Sequence, residues 1–186
     1  MNQQYLGERG AENFGLAVFK YDKLVGELNG IETVCYSILS NNVQGFFLTI
    51  KDPRSEEEYI DLYLHHNFKT KKKVEIIDDT PYITVECKLE GRIYSIKGDT
   101  NYTEENLLSE ISDEAARYIE LQIYEYLYKT AKNYKTDISG FGDNALSNFT
   151  TIKEFENYNW ENNYQNSFFK VNCDVCIESG YLITEI

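Results

Sequence analysis

The chain has no apolar run near the ~20 residues that a membrane-spanning helix needs. Its start, Met1-Asn2-Gln3-Gln4-Tyr5, has neither the basic end nor the apolar stretch of a signal peptide. Taken literally it is soluble and untargeted, and a fragment stripped of its targeting segment reads the same way. Cations are scarce as well: 18 Lys and Arg stand against 31 Asp and Glu, a net charge of -13, with a pI near 4.6. That balance argues against phosphate-driven nucleic-acid binding and against unaided docking on an anionic membrane. There is no H-E-x-x-H, no G-x-S-x-G, no P-loop and no EF-hand loop. The four cysteines, Cys35, Cys87, Cys173 and Cys176, are too few and too scattered for a disulfide framework. Zinc would need two more soft ligands beside the Cys173-x-x-Cys176 pair, so neither metal nor cofactor is expected.

What is present suits one domain. The 186 residues are 42% hydrophobic and 26% charged, ordinary globular usage, and a chain this long buries roughly 70% of its unfolded surface. Tyrosine is abundant, at 16, beside only two prolines. Leu16–Lys20 and Leu24–Gly26 flank Tyr21-Asp22-Lys23 as a hairpin, and Asn29-Gly30-Ile31-Glu32 reads as a capping box opening a helix to Leu39. Alternation then predicts three strands, over 43–51, 59–68 and 82–96, each with one apolar face. In the second, Ile60, Leu62, Leu64 and Phe68 share that face, and Gly91 in the third marks a bulge or bend. Thr103–Tyr134 is the strongest helix, its buried stripe running through Leu108, Ile111, Ala115, Ile119, Ile123, Leu127 and Ala131. A shorter helix follows from Thr151 to about Trp160. Phe168–Ile177 is the last strand, with Val171, Cys173, Val175 and Ile177 on one face and Cys176 on the other. The expected fold is α+β: an antiparallel sheet with one long and one or two short helices on one face, over residues 15–186, after a flexible 1–14 segment.

Few constellations carry chemistry. Gly140-Phe141-Gly142-Asp143-Asn144-Ala145 fits G-x-G-x-x-A, but a helix precedes it where a dinucleotide loop needs a strand, so it reads as a glycine-rich helix stop and turn. His65 and His66 are the only histidines. Adjacent strand residues face opposite ways, so they cannot share a metal, and His66 on the apolar side reads as structural. Lys69-Thr70-Lys71-Lys72-Lys73 is the one basic run and reads as a hairpin tip or a blunted edge, with an acidic partner or lipid head groups as the functional alternative. Acceptor motifs for glycosylation at Asn101 and Asn148 matter only in a glycosylating pathway. None of this builds an enzyme.

Several segments, in order, carry a resemblance. Gly15-Leu16-Ala17-Val18-Phe19-Lys20-Tyr21-Asp22-Lys23-Leu24-Val25-Gly26, then Gly30-Ile31-Glu32-Thr33, resemble the start of the C-terminal region of the Ger(x)C spore-germination lipoproteins. Gln44–Ile50 resembles the next family strand, and Tyr134-Lys135-Thr136-Asp137-Ile138-Ser139-Gly140-Phe141-Gly142 resembles the stop of the family's long helix. Trp160, the closing strand and Ser179-Gly180-Tyr181-Leu182-Ile183 fall in the expected order.

The resemblance implies a non-enzymatic C subunit of a nutrient germinant receptor, mediating assembly and germination signalling with the membrane-embedded A and B subunits. It implies tethering by an N-terminal lipid to the outer face of the spore inner membrane. The family's signal peptide, lipidated cysteine and N-terminal domain have no counterpart here, so the chain is expected to be the C-terminal part and soluble as such. The candidate interaction residues are Asp137, Gly140, Phe141 and Gly142 at the helix stop, with Lys71, Lys72 and Lys73 as a second surface. The alternatives are an extracytoplasmic module binding a nutrient or sugar, which needs a concave aromatic pocket, and an enzyme, which needs a cleft with His66 beside a buried carboxylate.

Overall fold

Alternation in the middle of the chain becomes a four-stranded sheet of order β3-β4-β5-β6, beside a separate two-stranded hairpin. The computed structural model describes residues 15–96 and 105–178. The hairpin is β1 (Leu16–Lys20) and β2 (Lys23–Leu28), turned at Tyr21 with φ 56°. It leads into α1 (Gly30–Leu39), where Asn29 Oδ1 accepts from Glu32 N and the Glu32 carboxylate accepts from Asn29 N, the reciprocal cap its sequence predicts.

The sheet holds β3 (Phe46–Asp52), β4 (Ser55–Ile77), β5 (Thr80–Ile96) and β6 (Phe168–Glu178). The first three are antiparallel, and β6 lies parallel to β5, Tyr82 beside Phe168 through Arg92 beside Glu178. Its inner face, including Ile60, Leu62, Leu64, Ile83, Val85, Leu89 and Val175, packs under the helices. Those are α2 (Glu105–Tyr128) with a π turn over Lys129–Tyr134, then α3 (Phe141–Ala145), α4 (Ile152–Tyr158) and α5 (Trp160–Tyr164). The mixed fold with helices against a largely antiparallel sheet is the one expected, the parallel β6 apart. The buried stripe of α2 runs from Leu107, with Leu108 only half-buried, through Ile111, Ala115, Ile119, Ile123 and Leu127 to Ala131. Expectations for residues 1–14, the Thr103 helix start, Asn101 and Ser179–Ile183 lie outside the described residues.

Four expectations need correction. Lys69–Lys73 is not a hairpin tip: β4 runs unbroken through it, and the turn falls at Asp78-Asp79, both left-handed, as a two-residue hairpin loop requires. Phe68 leaves the apolar face. Between His66, opposite Leu89, and Lys71, opposite Glu86, β4 takes five residue steps to three on β5, and the surplus pushes Phe68 out to 63% exposure. Gly91 sits in regular pairing opposite Leu64; the irregularity comes at Tyr94, which lies between the partners of Leu62 and Asp61. Gly91 is glycine for another reason, since a Cβ there would strike the Tyr63 carbonyl. Finally, Cys87 and Cys173 face each other across the β5–β6 pair and form a disulfide, leaving Cys35 buried and Cys176 exposed as free thiols. The cysteines look scattered because 86 residues separate partners that parallel pairing sets side by side.

On the β6 edge, Cys173 N donates to Glu120 Oε1 at 2.7 Å and Ile177 N donates to Ser112 Oγ at 3.1 Å, both side chains coming from α2. These bonds occupy amides that an added strand would need.

Candidate functional site

The π turn that ends the long helix places its last carbonyls for a sharp exit, and Lys135 closes it in the left-handed region at φ 52°. Five residues later Gly140, at φ +71°, turns the chain again into α3. This glycine is required by its backbone, since nothing lies within 4 Å of where its Cβ would be.

Between the two turns sits Asp137. Its Oδ2 accepts from Gly142 N at 2.7 Å and from the indole Nε1 of Trp160 at 2.9 Å, so one carboxylate oxygen ties the loop to α3 and to α5. Its Oδ1 is buried without a partner. A Cβ on Gly142 would stand 3.0 Å from the Trp160 ring, so glycine here lets the indole close over the aspartate. Phe141 is fully buried, its ring stacked 6.4 Å from that of Tyr164. The Tyr164 hydroxyl reaches Thr130 of the π turn at 3.0 Å, and Tyr126 reaches Ser139 Oγ at 2.8 Å.

From the sheet, Lys72 enters this corner. Its ammonium donates to the Ser139 carbonyl at 2.7 Å and lies 5.4 Å from the centre of the Phe141 ring. Burial pulls its pKa below the ordinary lysine value, against the opposing pull of Asp137 and Asp143. The structure thus gathers Asp137, Gly140, Phe141, Gly142 and Lys72 into one corner. It sends Lys71 and Lys73 to the open outer face, where Lys71 lies opposite Glu86 and Lys73 pairs with Glu75 at 2.9 Å. Alternation splits the run, since Thr70 and Val74 are buried and Lys72 between them must also point inward. That parity was the available signal for Lys72. Trp160 and Ser139 carried none, because their partners are remote in the chain.

The polar groups here are arranged to bind each other. The hydroxyls of Tyr126 and Tyr164 are pushed well above the ordinary tyrosine value by burial, and the Cys35 thiol is pushed up to about 12, mainly by burial and then by Glu32. Among the described residues His66 has no carboxylate within hydrogen-bond reach; the histidine that does is His65, 3.1 Å from Glu90 on the outer face. Asn148, one of the glycosylation motifs, uses its amide to hold the Val74 and Ala145 carbonyls.

A second anchor fixes the hairpin to the same helix end. Tyr134 lies against Gly26 and donates its hydroxyl to the Glu27 carbonyl at 2.6 Å, while Lys129 Nζ meets the Glu32 carboxylate at 2.7 Å.

Residues 14–180 match the family described as spore germination B3/GerAC-like, C-terminal. The crystal structure of the GerBC protein superposes with a TM-score of 0.70 at 21% identity, over 84% of this chain and 48% of that one. The chain therefore spans about half the length of that protein, and the likeness shows a common fold. No curated protein matches by sequence.

Proposed function

Because the chain belongs to the spore germination B3/GerAC-like C-terminal family, we propose that it is the C-terminal part of a germinant-receptor C subunit, acting by protein contact and not by catalysis. The observation that carries this reading is the family match across residues 14–180. The corner geometry agrees with it: Asp137, Phe141, Gly142 and Lys72 lock a loop between α2 and α3 into one shape, which suits a surface that must be recognised. Its partners in this reading are the receptor's membrane-embedded A and B subunits. Among the described residues no helix is long and apolar enough to cross a membrane, and the reading places attachment in a lipid on the N-terminal part of the full-length subunit, at the outer face of the spore inner membrane.

The test is made in spores carrying the full-length subunit. Asp137→Ala and, separately, the triple change Lys71→Ala, Lys72→Ala and Lys73→Ala are expected to lower recovery of the A and B subunits with the C subunit and to slow nutrient-triggered germination. Normal assembly together with a normal nutrient response in both variants would remove these residues as contacts.

A further inference from the structure

The β4 bulge builds a second feature, on the outer face of the sheet and away from the Asp137 corner. Its two surplus residues throw Phe68 into solvent, and the strand is pinned just beyond it: Thr70 N donates to Asn41 Oδ1 at 2.7 Å, and Thr70 Oγ1 to the Ile38 carbonyl at 2.9 Å. A bulge held this way aims its side chain in a fixed direction. Beside the phenyl ring lies a cavity of about 270 Å³ whose other walls are Lys69, Lys71, Glu86 and Lys88.

The charge around it runs against that of the chain. Lys88 is paired with Asp174 at 3.2 Å, but among the described residues neither Lys69 nor Lys71 has an ion-pair partner. On a chain of net charge -13, two unpaired lysines and an exposed phenyl ring share one small cavity.

We propose that this cavity receives an acidic, extended peptide segment of a partner protein, with an apolar side chain against Phe68 and carboxylates on Lys69 and Lys71. An extended chain repeats its side chains every two residues, about 6.6–6.8 Å, so alternate carboxylates on one side of it meet both lysines of the cavity. A flat anionic membrane is the poorer occupant. It would meet the whole outer face, where Glu75, Asp174 and Glu178 are exposed too, whereas a single strand in the cavity meets only Glu86 of these carboxylates, against Lys69, Lys71 and Lys88. The inference goes beyond the receptor reading and needs none of it.

The probe is a fluorescein-labelled decapeptide alternating Glu and Leu, titrated into the 186-residue chain and followed by anisotropy. Saturable binding is expected that weakens with salt, weakens at least tenfold in Lys69→Glu/Lys71→Glu and several-fold in Phe68→Ala, and is absent for the Lys-for-Glu peptide. Lys69→Gln/Lys71→Gln gives an intermediate loss without adding charge, and unchanged melting temperatures show that these surface variants fold. Equal binding of both peptides, or no response to the charge changes, overturns the proposal. So does Lys69- and Lys71-dependent capture on phosphatidylglycerol vesicles with no peptide binding, which would make the face a lipid surface. Either failure leaves the receptor reading standing, because that reading is tested by assembly in spores.

Discussion

At the scale of single residues, Asp137 does the most with one atom. Removing its carboxylate strands the Gly142 amide and the Trp160 indole together, and hydrogen bonds to a charged acceptor are each worth about 1.5–3 kcal/mol. Both bonds are only part-buried, so water replaces some of what is lost, and Asp137→Ala is expected to destabilise the chain by about 2–4 kcal/mol. Trp160 is the only tryptophan, so its emission should shift to the red as the indole loses its acceptor and meets water. Asp137→Asn keeps an acceptor oxygen and should shift less. An unchanged Trp160 spectrum in the alanine variant would mean the indole is held by packing alone. The cysteines make a separate prediction at this scale. Cys176 should react with a thiol reagent in the native chain, and Cys35, buried and with its pKa raised to about 12, should react only on unfolding. Cys87 and Cys173 should appear only after reduction, so four reactive thiols in the unfolded, unreduced chain would disprove the disulfide.

At the scale of elements, the hairpin is docked by a fit that tolerates no added atom. A Cβ on Gly26 would stand 2.1 Å from the Tyr134 ring, so Gly26→Val should displace the ring, break its bond to the Glu27 carbonyl and speed amide exchange across Leu16–Leu28. Gly30→Ala, where a Cβ meets nothing within 4 Å, is the matched control and should leave exchange there unchanged. Comparable exchange in the two variants would show that the hairpin holds without this contact. The elements themselves were largely legible in the sequence, because alternation and capping are local: the Asn29–Glu32 box forms as written, β3 keeps its alternation over Phe46–Asp52, and α4 starts directly after Thr151. What was hidden depended on pairing. A lysine run looks like a turn until its strand is seen to continue, and Phe68 looks inward until the ladder slips beneath it. Likewise, Lys72 and Ser139 are 67 residues apart, and no local pattern announces that they meet.

For the whole molecule, stability should depend on acid through His66. Burial, then the neighbouring His65, lowers its pKa below 6.5, and its Nε2 is buried without a partner. The unfolded chain therefore binds this proton more readily than the folded one. Its contribution is complete above about pH 6.5 and is lost as pH falls from there toward the lower folded-state value. His66→Gln should flatten the melting temperature between pH 7 and 5 relative to the native chain, and equal slopes would exclude His66 as the source. The position of β6 has a consequence for how the molecule is made. A ribosome delivers β5 long before β6, and during that interval β5 waits with its Tyr82–Arg92 edge bare while α2 lacks the strand it packs on. β6 thus acts as a completion signal: until residues 168–178 have emerged, Cys87 lacks its native partner and the core stays open on one side. Chains stopped short of Phe168 should be cleared or aggregate rather than accumulate as a smaller folded domain.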